Sequence, residues 1–71
     1  MRQKNVTAKE QDYLKDALEL ENLCIAKYSV YADQCADQDL KNMMFSITKS
    51  KRHHADVIKQ ELGYAELQYQ Q

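Results

Sequence analysis

The amino-acid sequence predicts an all-α fold: a two-helix antiparallel hairpin that dimerises into a four-helix bundle. Three observations carry this. Apolar residues recur at three- and four-residue steps along two stretches, the period of an amphipathic helix. Proline is absent and the 71 residues hold one glycine, too little punctuation for a sheet that needs a tight turn every few residues. The first stretch also carries more apolar surface than one neighbouring helix covers.

The first helix opens on Thr7-Ala8-Lys9-Glu10, the pattern of a capping box. The threonine hydroxyl accepts from an early helical N–H, and the glutamate three residues on accepts from the threonine N–H. Val6 has Gln11 at the position where a hydrophobic staple would need an apolar residue, so the entry is capped but not clamped. Periodicity then runs through Leu14, Ala17, Leu18, Glu21, Cys24, Ile25, Tyr28, Tyr31, Ala32 and Cys35. That places helix 1 over about 8–35.

Ala36-Asp37-Gln38-Asp39 is the one break, and Asp37 is placed to cap the second helix. The second stripe is Leu40, Met43, Met44, Ile47, His54, Val57, Ile58 and Leu62. Gly63 stands where a left-handed C-terminal residue is expected, which ends helix 2 at about 38–62. The Gln-rich segment 64–71 reads as a frayed polar tail. The whole chain, 1–71, is then one helical hairpin domain, because a short loop makes neighbouring helices antiparallel.

A lone hairpin of this size is a small fold, whose core rarely supplies more than about 3–5 kcal/mol. Leu20, Leu23 and Val30 lie off the main stripe of helix 1 and form the expected self-association surface. A second copy is the simplest cover for them, so a homodimer is expected.

A formal net charge of −1 gives no global field toward nucleic acid or an anionic membrane, and neither is an expected partner. Met1-Arg2-Gln3-Lys4-Asn5 leads into no apolar run, so neither signal peptide nor membrane span is expected, and the expected location is cytoplasmic. Cys24 and Cys35 lie eleven residues apart, roughly 16 Å along one helix, too far to bridge each other. They read as reduced core cysteines, with an intermolecular bridge under oxidising conditions as the alternative.

Two residues in these stripes carry chemistry. Glu21 is a carboxylate among Ala17, Leu18, Cys24, Ile25 and Tyr28, where a charge must be paired, protonated or metal-bound. His54 stands likewise in the second stripe, and folding about Ala36-Asp37 brings it within a turn of Glu21. Carboxylate and imidazole facing each other in a bundle is the layout of di-metal carboxylate proteins.

The pattern of Leu18, Glu21, Tyr28, Asp37, Leu40, His54 and Gly63-Tyr64 resembles the Coat F domain of spore coat proteins from endospore-forming bacteria. The resemblance covers about Asp12 to Tyr64. It implies a ferritin-like helical hairpin, a structural role in sporulation, a spore coat location and other coat proteins as partners. The chain departs from ferritin-like metal sites at two positions. Lys51 stands three residues before His54, where those sites have glutamate, and Cys24 stands three after Glu21, where they have histidine.

The expected core polar cluster is therefore Glu21 paired with Lys51, with His54 hydrogen-bonded nearby, and no metal or other cofactor. A metal site of Glu21, Cys24 and His54 is the alternative, since all three are competent zinc ligands. The run Lys49-Ser50-Lys51-Arg52-His53-His54 has no interleaved aromatics and reads as a solvated face set against Asp16, Glu19 and Glu21. Tyr28, Tyr31, Met43 and Met44 read as core fillers. No nucleophile–base pair, phosphate loop or Cys-x-x-Cys motif is present, and no catalysis is expected. The expected function is a structural or assembly protein acting by self-association. A metal-binding ferritin-like protein and a helical adaptor for another protein are the alternatives.

Overall fold

The computed structural model describes residues 6–69, with side chains described through Glu66. These residues form two helices packed against each other, α1 over Ala8–Gln34 and α2 over Gln38–Tyr69. The molecule is a slab measuring 52 × 23 × 14 Å.

Local chemistry fixes three of the four helix ends. Thr7 Oγ1 accepts from the Glu10 N–H at 3.1 Å, and Glu10 Oε1 accepts from the Thr7 N–H at 3.0 Å. The backbone and side-chain hydrogen bonds with Thr7 hold the Glu10 carboxyl below its ordinary value of 4.5. At the other end of α1, Cys35 is extended and its N–H donates to the Ala32 carbonyl at 3.3 Å. Asp37 caps α2, its Oδ1 accepting from the Leu40 N–H at 2.8 Å.

The far end of α2 differs from the sequence expectation. The helix runs through Gly63 to Tyr69 instead of ending at Leu62, and Gly63 has no positive φ. The expected frayed tail is helical over 64–69, while 70–71 lie outside the described residues. Register gives the reason. Each residue of α1 stands level with the position in α2 whose number brings the sum to about 74, so α2 must reach the mid-sixties to cover the start of α1. Ala65 is fully buried there, and its packing outweighs the local signal of one glycine.

The seam between the helices follows alternating steps of three and four residues, the a and d positions of a heptad. On α1 and its cap it is Gln11, Leu14, Leu18, Glu21, Ile25, Tyr28, Ala32 and Cys35, all buried or half-buried. On α2 it is Lys41, Met44, Thr48, Lys51, Ala55, Ile58, Leu62 and Ala65, likewise. This corrects the expected second stripe. Leu40 and Met43 are each 48% exposed and Val57 is 43% exposed, so none fills the seam. Tyr31 also stands 46% exposed, edge-on to the half-buried Tyr28 with ring centroids 5.8 Å apart.

The seam is shallow. Among the described residues the buried ones are Ala32, Thr48, Ala55 and Ala65, and no large side chain is fully buried.

Candidate functional site

The polar cluster sits at mid-length of the seam. Glu21 occupies a d position of α1, and its Oε1 lies 3.6 Å from Lys51 Nζ, which reaches across from a d position of α2. His54, three residues further along α2, brings Nδ1 to 3.7 Å from Glu21 Oε2. The structure thus brings all three sequence-predicted residues together.

Two parts of the expectation are corrected. The cluster is not deep core: the side chains are 18% exposed for Glu21, 30% for Lys51 and 56% for His54. Two helices alone cover neither side of the seam, and His54, at a g position, stands on one of them. Nor is His54 hydrogen-bonded to the carboxylate, since 3.7 Å is beyond hydrogen-bond range. Glu21 Oε2 is buried as an atom and has no hydrogen-bond partner.

The alternative metal set is not assembled. Among the described residues no three His, Cys, Asp or Glu side chains are placed to hold an ion. Cys24 lies one turn from Glu21 toward the loop, whereas His54 lies on the opposite side of Glu21's level, so the short thiol does not converge on the imidazole. Cys24 and Cys35 are free and half-buried. Of the basic run, Lys51 and His54 reach Glu21, while Asp16 and Glu19 stand exposed on other faces of α1.

A second feature was only half visible in the sequence. Among the described residues ten large apolar side chains are exposed, from Leu20 at 64% to Val57 at 43%. Heptad geometry shows how they are distributed. Because α2 runs opposite to α1, its helical wheel is mirrored, and the g positions of both helices border the same side of the seam, with the c positions beyond them. Tyr13, Leu20 and Tyr31 of α1 and Leu40, Met43, Val57 and Tyr64 of α2 all fall at g or c. The half-buried Ala17, Cys24, Ile47 and Glu61 lie between them, and Lys27, Ser50 and His54 also fall at g or c.

The other side, bounded by e and b positions, carries Asp12, Lys15, Glu19, Lys49, Arg52, Asp56 and Lys59. Phe45 is the one large apolar residue exposed there among the described residues. One face of the slab is largely apolar, with Lys27, His54 and Glu61 set among the apolar side chains, and the other is charged. Of the three residues expected to mediate self-association, Leu20 lies on the apolar face, and Leu23 and Val30 sit at f positions on its outer edge. The contribution of α2 was missed because Leu40, Met43 and Val57 share a helical period with the seam.

Among the described residues no helix is long and apolar enough to cross a membrane. The sequence matches no protein-family model, no curated protein and no solved structure.

Proposed function

We propose that this chain is a non-enzymatic structural or assembly protein that acts by self-association, two copies forming a homodimeric four-helix bundle. One observation carries the reading: seven large apolar side chains are exposed on a single face of a hairpin in which, among the described residues, no large side chain is fully buried. A largely apolar face of this kind, opposite a charged one, marks an interaction surface. The whole outline of a slab 52 Å long and 23 Å wide is roughly 1,000 Å², the same order as the ~800 Å² per partner of a standard stable interface.

The resemblance of Leu18, Glu21, Tyr28, Asp37, Leu40, His54 and Gly63-Tyr64 to the Coat F domain supports a ferritin-like bundle and a role in the spore coat. On that reading the chain is made in the cytoplasm, and other coat proteins are its further partners.

Sedimentation equilibrium tests the association. At tens of micromolar the mass should be twice the 8.3 kDa of the chain. Val57→Glu, which sets a charge in the middle of the apolar face, should return it to the mass of one chain. A folded wild-type monomer at that concentration overturns the reading.

A further inference from the structure

We draw no further inference here: the strongest candidate, the exposed apolar outer edge of α1 formed by Leu20, Leu23 and Val30, extends the face already proposed for self-association, and nothing in the structure shows what covers it.

Discussion

At the scale of single residues, Glu21 decides what the seam tolerates. Its carboxylate is 3.6 Å from Lys51, but the pair is 18% and 30% exposed, so water screens the parts that the helices do not enclose. Glu21→Ala should therefore cost about 1–2 kcal/mol per chain, less than the 3–5 kcal/mol of breaking a fully buried pair. Glu21→Leu with Lys51→Met should be neutral or stabilising, since apolar replacements of an enclosed ion pair often are. Urea denaturation of the three proteins checks both, and a double variant less stable than Glu21→Ala would refute the account.

The meeting of Glu21, Lys51 and His54 was legible in the sequence because helical spacing and one short loop determine who faces whom. The polar seam positions Lys41 and Thr48 were not, because apolarity was the signal followed. Each is accommodated by its own chemistry. Thr48 donates its hydroxyl to the Met44 carbonyl at 2.9 Å, and lysine stems lie along apolar surface with the ammonium outward. The strict alternation of three and four steps, extended back along α2 from Ile58–Leu62, passes through both.

At the scale of elements, the starts of α1 and α2 were readable because a cap is a local event. Thr7 with Glu10, and Asp37 with the Leu40 N–H, each need only three or four consecutive residues. The end of α2 was not readable from Gly63, since that end is set by how far α1 extends on the other side of the seam. Gly63 is thus a mid-helix glycine, and a Cβ built on it meets nothing within 4 Å. Ala there should stabilise the protein by about 0.5–1 kcal/mol, through helix propensity and a less free unfolded chain. Thermal or urea unfolding measures it. A loss on Gly63→Ala would mean that the residue ends the helix after all, in a conformation alanine resists.

At the scale of the whole molecule, the shallow seam and the apolar face belong to the same argument. A hairpin whose buried residues, among those described, are three alanines and one threonine has little of its own to offset the conformational entropy of ordering its chain. Covering Leu20, Leu40, Met43 and Val57 in a dimer supplies the burial that the seam lacks, so folding and association should be one linked equilibrium. Unfolding enthalpy of about 0.7 kcal/mol per residue over two chains gives a melting temperature that rises by roughly 5 °C per tenfold increase in protein concentration. Val57→Glu should lower the melting temperature at every concentration and flatten that slope, because the hairpin then unfolds as a single chain. Circular dichroism melts across two decades of concentration make the measurement. A wild-type melt that is sharp, high and independent of concentration would mean the hairpin stands on its seam alone, and the apolar face would then need a different explanation.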